Sequence, residues 1–167
     1  MTARHHVTVH LDGPAAQAID ALRAVWDPVM RGIAPAHVTV VYPEETVDTP
    51  LLLERLRRVA AVTAPIPLAI GRITAADEGR GGVFALVDDP TGRLAALRTE
   101  LLRPPQRHGR YPFHATIAHP RTAESPARCW DALRGHDLAV PVTAHEALWT
   151  VTDTSTRTVL ARYPFRG

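Results

Sequence analysis

The sequence predicts a protein of mixed α and β structure, and two observations indicate this fold class. Short β-branched runs alternate with stretches of helical periodicity along the 167 residues. The pattern His-x-Thr-x, with apolar x, occurs at His37 and again at His114, about half a chain length later. The alternation alone favours a parallel, doubly wound sheet. The duplication favours two similar lobes with a site at a pseudo-twofold axis between them.

Composition narrows the class of protein. Hydrophobic residues make up 46% and charged residues 22% of the chain, as in ordinary globular proteins, so we expect residues 1–167 to form a single domain of two lobes. No apolar run is long enough to span a membrane, and the opening Met1–His6 segment lacks the apolar core of a signal peptide. The single cysteine, Cys129, excludes a disulfide within the chain and gives no support to a cysteine zinc site. We therefore expect a cytoplasmic protein.

The charge balance argues against one class of partner. The formal net charge is only +2, although all 19 basic residues are arginine. A balance this small does not suit a protein that coats long nucleic acid through electrostatics alone. Arginine nevertheless offers planar, bidentate contacts to phosphate wherever a cleft needs them.

The first part of the chain is predicted to hold two strands and two helices. Pro14, after Asp12-Gly13, is suited to the first turn of a helix, and Thr49 before Pro50 is a suitable N-cap. The predicted elements are a strand over 4–11, a helix from Pro14 to about Met30, a strand over 36–42 and a helix from Pro50 to about Val62.

The remainder of the chain is predicted to be richer in strands. A polar, glycine-rich link over 77–82 is typical of a hairpin loop. The segment 103–110 is predicted to be an exposed basic loop. Asp153–Thr156 is expected to turn the last hairpin. The predicted elements are strands over 67–74 and 82–88, a helix over 91–102, the second motif strand around His114, a helix over 124–134 and strands near 137–144, 146–152 and 157–164.

The repeated motif carries the chemistry. Within each copy the His and Thr are two residues apart, so both side chains lie on one face of a strand. A proline precedes and follows each copy (Pro35 and Pro43; Pro112 and Pro120), which predicts short, bounded strands. Two imidazoles and two hydroxyls are suited to acid–base chemistry on a phosphate.

A third copy, His6-Val7-Thr8-Val9, shows that a single match is weak evidence for a functional site. With nine His and 17 Thr in the chain, roughly one such match arises by chance. This copy lacks the proline flanks and the half-chain spacing, so we pair the other two. On the same strand His10 shares a face with His6 and Thr8. No His or Cys spacing indicates a metal site.

The two paired stretches resemble the signature of the two-histidine (2H) phosphoesterases, the 2′-5′ RNA ligase and cyclic phosphodiesterase superfamily. His37-Val38-Thr39-Val40-Val41-Tyr42-Pro43 is similar to the first motif, and Tyr111-Pro112-Phe113-His114-Ala115-Thr116-Ile117-Ala118 to the second. The resemblance implies an α+β fold of two pseudo-symmetric lobes, each an antiparallel sheet with helices, flanking a central groove. Many members carry Arg where this chain has His119, and Arg121 lies nearby.

The resemblance also implies a function. It implies a metal-independent, cofactor-free cyclic phosphodiesterase that hydrolyses 2′,3′-cyclic phosphates of RNA ends or small cyclic nucleotides, and we expect it to act as a monomer. His37, Thr39, His114 and Thr116 are the expected catalytic residues, with His37 as the acid and His114 as the base. The candidates for substrate binding are Tyr42, His119, Arg121 and Arg110.

Several alternatives stay open at this point. The same residues suit 2′-5′ RNA ligation, or cleavage of a 2′-5′ phosphodiester, which is the reverse of that ligation. A non-catalytic module that binds RNA ends, or an interaction protein with accidental motifs, needs no turnover at all. Tyr42 could stack on a base or belong to the core, and Arg110 could bind phosphate or only solvent. Geometry discriminates among these, because catalysis requires both imidazoles to face one groove.

Overall fold

The structure, a computed structural model, describes residues 3–167. Met1 and Thr2, which the predicted domain and the opening segment include, lie outside the described residues. The elements in chain order are β1 (Arg4–His10), α1 (Gly13–Trp26), α2 (Pro28–Ile33), β2 (His37–Val41), α3 (Thr49–Ala60), β3 (Ile66–Ala75), β4 (Val83–Asp88), α4 (Arg93–Leu102), β5 (His114–Ala118), α5 (Pro126–Leu133), β6 (Asp137–Ala144), β7 (Glu146–Thr152) and β8 (Arg157–Pro164), with 3₁₀ turns at Pro43–Glu45 and Asp77–Gly79.

Two four-stranded antiparallel sheets define the two lobes. The first lobe contains the sheet ordered β2-β1-β7-β8, and the second contains the sheet ordered β5-β4-β3-β6. The predicted α+β fold is confirmed, and a parallel doubly wound sheet is excluded. The lobes are not successive halves of the chain, however. The last two strands return to the first sheet, where β7 pairs with β1 and β8 pairs with β7.

The motif strands occupy equivalent places in the two sheets. Each is an edge strand joined to its neighbour by a helical crossover, α1–α2 in the first lobe and α4 in the second. Each also carries a β-bulge one residue after its threonine, at Val40 and at Ile117. Both bulged residues are fully buried. The repeat noted in the sequence is therefore a repeat of backbone geometry.

The crossover helices lie against the opposite lobe. Helix α1 leaves the first sheet and packs on β5 and β6, whereas α4 leaves the second sheet and packs on β2 and α3. The lobes therefore share a single hydrophobic core, which includes Val9, Ile19, Val38, Leu56, Ile70, Leu94, Leu97 and Ile117. Because each lobe is covered by a helix of the other, relative motion of the lobes would expose this core.

The long helix predicted from Pro14 to Met30 is wrong in one respect. It is interrupted at Asp27, whose backbone (φ −152°, ψ 65°) is not helical and which precedes Pro28. The Asp27 carboxylate caps the new helix by accepting from the Met30 N–H at 2.9 Å. The cap of α3 was also misplaced by one residue. Asp48 accepts from the Leu51 N–H, and Thr49 is the first helical residue.

The three tryptophans contribute to the hydrophobic core. Trp149 is buried, and Trp26 and Trp130 pack against the core with part of their surface exposed. Asp153 closes the final hairpin, with its carboxylate accepting from the N–H groups of Ser155 and Thr156. Within residues 3–167, no helix combines the length and apolar character needed to cross a membrane.

Candidate active site

The two motif strands meet at one cleft. β2 and β5, the edge strands of the two sheets, are in contact across the lobe boundary. Between the lobes lies a cleft of about 470 Å³ whose lining includes His37, Thr39, His114 and Thr116. The structure therefore brings together all four residues that the sequence nominated for catalysis.

Backbone carbonyls hold both motif imidazoles in one tautomer. His37 Nδ1 lies 2.7 Å from the Pro35 carbonyl oxygen, and His114 Nδ1 lies 2.8 Å from that of Pro112. Because a carbonyl only accepts, each Nδ1 must carry the hydrogen and donate it. In the neutral ring Nε2 is then left with its lone pair, ready to take a proton. The prolines ahead of each motif thus supply the carbonyls that orient the histidines.

The two imidazoles differ in their electrostatic surroundings. Burial lowers the pKa of His37 well below its ordinary value, and Arg157 and Arg23 lower it further. Burial also lowers the pKa of His114, but no cation among residues 3–167 contributes there. In both cases the proline carbonyl opposes the shift by stabilising the protonated ring. Both rings therefore favour the neutral form, and nearby positive charge reinforces this only at His37.

Two buried arginines join the lobes at the motif backbones. Arg23 of α1 is fully buried and donates from Nε to the Thr116 carbonyl at 2.8 Å and from Nη1 to the Ala34 carbonyl at 2.9 Å. Arg98 of α4 donates to the Val40 carbonyl and forms an ion pair with Glu45 at 2.7 Å. Each crossover helix therefore holds the motif strand of the opposite lobe.

Sequence reasoning did not identify these arginines, although the sequence contained a signal. Arg23 lies four residues after buried Ile19, and Arg98 lies four residues after buried Leu94. A basic residue on the apolar face of a predicted helix is an anomaly, because charged groups are seldom buried without partners. This anomaly indicates a buried arginine but does not indicate its partner.

Tyr42 lies at the rim of the cleft in an aromatic cluster. Its ring makes edge contacts with His108 and Tyr111, at centroid distances of 5.1 and 6.1 Å. Tyr42 lines the cleft, and burial raises its pKa to about 12, so the hydroxyl stays protonated. Arg110 lies on the loop that contains His108 and Tyr111; it is exposed and is not among the residues that line the cleft.

Acidic residues anchor this loop to the first lobe. The His108 N–H donates to Glu45 Oε1 at 3.0 Å, and the His108 ring contacts Glu44 at 2.8 Å. Although burial acts to raise the pKa of Glu44, hydrogen bonds from its own N–H and from the His108 ring outweigh that effect and lower this pKa. The loop that the sequence marked as basic is therefore held by two carboxylates next to Tyr42.

His119 and Arg121 both line the cleft, beyond the second motif. The His119 N–H donates to Asp27 Oδ2 at 2.8 Å, and the Thr122 hydroxyl donates to the same oxygen at 2.7 Å. His119 Nδ1 accepts from the Arg121 N–H at 3.1 Å, so the hydrogen of the neutral ring lies on Nε2. Burial is the main cause that lowers the pKa of His119. His119 therefore offers an uncharged donor where the resemblance implies an arginine.

The first sheet contributes a polar floor that sequence reasoning only partly foresaw. His6 lines the cleft, and burial lowers its pKa to about 3. His10 packs against His37 with ring centroids 6.4 Å apart but is not among the cleft-lining residues. Arg4 and Arg157 line the cleft as well, although neither was singled out. Only tertiary pairing brings β8 next to this site.

The second sheet presents an apolar wall instead. Phe84 lines the cleft and meets the His114 ring edge-on at a centroid distance of 4.7 Å. Over the described part of the chain, no group of three or more His, Cys, Asp or Glu side chains is arranged to hold a metal ion.

Comparisons with known proteins place the chain in a family. The sequence model of the 2′-5′ RNA ligase superfamily matches residues 11–154. A search of curated proteins finds no match. Among solved structures, the chain is similar to LigT of E. coli complexed with 3′-AMP, with 16% sequence identity, 98% coverage of both chains and a TM-score of 0.69.

Two further structures share the fold. TT0787 of Thermus thermophilus is 20% identical over 98% of both chains, with a TM-score of 0.64. Usb1 of Kluyveromyces marxianus is 16% identical over 96% of this chain and 97% of that one, with a TM-score of 0.52. The family match spans most of the sequence and the fold agrees with it. The chain therefore belongs to the 2′-5′ RNA ligase superfamily of two-histidine phosphoesterases.

Proposed function

We propose that this protein is a metal-independent phosphodiesterase that hydrolyses the 2′,3′-cyclic phosphates of RNA ends or nucleotides. One observation carries the proposal: two imidazoles, each donating Nδ1–H to a proline carbonyl, line one cleft together with two threonine hydroxyls. This set is enough to supply a base, an acid and two phosphate ligands. We further propose that it acts as a monomer in the cytoplasm.

In the proposed reaction one imidazole removes a proton from water as the oxygen attacks phosphorus. The bond between phosphorus and one ribose oxygen breaks, and the second imidazole gives its proton to that oxygen. One P–O bond forms and one breaks, and the proton taken by the base balances the one released by the acid. Thr39 and Thr116 donate hydrogen bonds to the non-bridging oxygens, where negative charge grows. With a 5′-hydroxyl in place of water, the same ring opening forms a 2′-5′ phosphodiester while the bond from phosphorus to the 3′ oxygen breaks.

The resemblance gives His37 as the acid and His114 as the base. Charge around the two rings favours the opposite assignment in the free protein. Arg157 and Arg23 disfavour a proton on His37, whereas His114 lacks such a neighbour. A neutral imidazole is the form a base requires, so we propose His37 as the base for hydrolysis. The pH profiles of variants that lack one histidine separate the two assignments.

Other cleft residues support a nucleotide as the substrate. Arg121 and the Nε2–H of His119 offer donors to phosphate oxygens, and Tyr42 offers an aromatic surface to a base. E. coli LigT, which shares the fold, is described in complex with 3′-AMP. We infer a ligand of the same class for this cleft. Arg110 keeps a role in this proposal only if its loop moves toward the bound substrate.

The test is turnover of a nucleoside 2′,3′-cyclic phosphate in excess chelator. We expect the wild type to open the ring and His37→Ala and His114→Ala to be severely impaired. His145→Ala is the matched control, because His145 is exposed in the link between β6 and β7. Activity that returned only with added divalent ion, or that survived both motif substitutions, would contradict the proposal.

A further inference from the structure

Arg157 is a half-buried cation to which the proposed reaction assigns no contact with the substrate. Its Nε donates to the Thr152 hydroxyl at 2.8 Å, while Nη1 is buried without a hydrogen-bond partner among residues 3–167. Within the same residues it forms no ion pair with Asp or Glu. An arginine that is desolvated without a carboxylate is costly, so such a group is usually kept for an anionic ligand.

Arg157 stands in a row of polar residues across the first sheet. Arg4 of β1 pairs with Thr152 of β7, and Thr152 pairs with Arg157 of β8. Directly paired residues of an antiparallel sheet point to the same face. All three line the cleft. Two guanidinium groups therefore flank one hydroxyl at the same end of the cleft.

This row is separate from the place where the motif threonine lies. Thr39 pairs with Thr8, which is four residues along β1 from Arg4, a displacement of about 13 Å along the strand. The Nε bond to Thr152 restrains the Arg157 side chain near its own row. This position lets Arg157 contact a phosphate other than the one held between His37 and His114, although its charge also lowers the pKa of His37.

The charge at this end of the cleft is positive. Burial, followed by the nearby cations Arg23 and Arg4, lowers the pKa of Arg157 to about 10, so the guanidinium keeps its charge at neutral pH. The one acidic residue of the cleft lining, Asp153, is exposed and occupied by the N–H groups of its own turn. An anion at this end would relieve the repulsion among the arginines.

We propose that Arg157, with Arg4, forms a second anion subsite, which binds a phosphate on the 5′ side of the nucleotide held by the motif residues. This inference rests on the proposed function, and it makes the preferred substrate a 5′-phosphorylated nucleotide or an RNA end rather than a free nucleoside cyclic phosphate. Both arginines lie outside residues 11–154, the segment that the family model matches. The subsite is therefore a feature of this chain beyond the matched segment.

Calorimetry with product-like ligands tests the subsite without turnover. We expect the wild type to bind adenosine 3′,5′-bisphosphate about tenfold or more tightly than adenosine 3′-monophosphate, as one charged hydrogen-bonding contact implies. Arg157→Gln should reduce this preference to about twofold, and it should weaken bisphosphate binding several-fold more than monophosphate binding. Arg162→Gln is the control: Arg162 lies on the same strand, is exposed and pairs with Glu146. It should keep the full preference.

Three outcomes overturn the subsite: no preference in the wild type, an unchanged preference in Arg157→Gln, or an equal loss of both ligands. An equal loss would indicate that Arg157 contacts the phosphate held between His37 and His114. Should Arg157→Gln fail to fold by circular dichroism, Arg157→Lys, which loses the planar fork, should still reduce the preference by about threefold or more.

Kinetics separate this inference from the proposed function and identify the source of the phosphate. A nucleoside 2′,3′-cyclic phosphate, its 5′-phosphorylated form and a dinucleotide ending in a cyclic phosphate should show KM falling by about tenfold when either 5′ phosphate is present. Turnover of all three with equal KM overturns only the subsite. Arg157-dependent bisphosphate binding without any turnover would overturn the phosphodiesterase and keep the subsite.

Discussion

The two lobes share a backbone arrangement but differ in the side chains behind the motif. In both lobes the motif is an edge strand, the bulge follows the threonine, and a proline carbonyl holds the histidine. In the first lobe β1 places His10 opposite His37 and Thr8 opposite Thr39. In the second lobe β4 places apolar side chains, Leu86 and Phe84, opposite His114 and Thr116.

The position of each motif imidazole and its electrostatic surroundings are therefore set by different parts of the structure. The repeated backbone gives each imidazole the same tautomer and the same approach to the cleft. In the first lobe β1 supplies polar side chains, and Arg157 of β8 and Arg23 of α1 supply positive charge. In the second lobe β4 supplies an apolar surface. A reaction that needs one base and one acid benefits from such asymmetry, because two identical imidazoles would prefer the same protonation state.

Removal of either motif imidazole should cause the greatest loss of activity. His37→Ala and His114→Ala should each lower kcat/KM on a cyclic nucleotide by about 10²–10⁴, because each loses a proton-transfer group. The double variant should lose far less than the product of the two, since an acid without its base cannot complete the same transition state. If either single variant is mild, the two lobes are not partners in one reaction.

The same two variants sharpen the comparison through their pH profiles. The acid limb of kcat/KM reports the base, and the alkaline limb reports the acid. If His37 is the base, the residual activity of His37→Ala should lose the acid limb, and that of His114→Ala should lose the alkaline limb. The reverse pattern would support His37 as the acid, the assignment that the family resemblance implies. It would mean that bound phosphate affects the pKa of His37 more strongly than Arg157 and Arg23 do.

The next effect concerns the threonines. Thr39→Ala or Thr116→Ala removes one hydrogen bond to a charged oxygen, which costs roughly 1.5–3 kcal/mol or about 10–150-fold in kcat/KM. Similar losses in the two lobes would show that the shared backbone, rather than the differing walls, sets this contact. Thr143→Ala, on the exposed part of β6, serves as the control and should retain wild-type rates. Single-substrate kinetics on purified variants measure all three.

Substitution of His6, which lines the cleft from the first sheet, should have the smallest effect on activity. His6→Ala should stay within a few-fold of the wild-type rate, because the neutral ring of His6 supplies no proton in the proposed reaction. A loss as large as that of His37→Ala would show that the third His-x-Thr copy, rather than the one at His37, is the partner of His114.

His6 should instead influence acid stability. Its pKa is about 3 in the folded protein against 6.5 in the unfolded chain, so between these values the unfolded chain binds the extra proton. Its contribution to stability is intact above pH 6.5 and falls by roughly 2 kcal/mol at about pH 5. The melting temperature of His6→Gln should therefore drop roughly 4–8 °C less than that of the wild type between about pH 7 and pH 5. His145→Gln, an exposed control, should match the wild type.

Much of the secondary structure could be predicted because it depends on local signals. β-Branched runs, prolines and glycine-rich turns located the strands and helices, with an error at Asp27, where a capping carboxylate and Pro28 stop a helix that apolar spacing alone would continue. The two paired His-x-Thr copies and their proline flanks indicated four of the residues that line the cleft. Each of these features depends on residues a few positions apart, so it can be recognised in the sequence before the fold is known.

Other features depend on which strands meet. No local pattern states that β7 and β8 return to the first sheet, that Arg23 and Arg98 bind the motif backbone of the opposite lobe, or that Arg157 reaches the cleft. The motifs, their short strands and the family that they resemble follow from the sequence alone. The difference between the two imidazoles follows from the tertiary structure, because burial and long-range charge depend on the packing of residues distant in the chain.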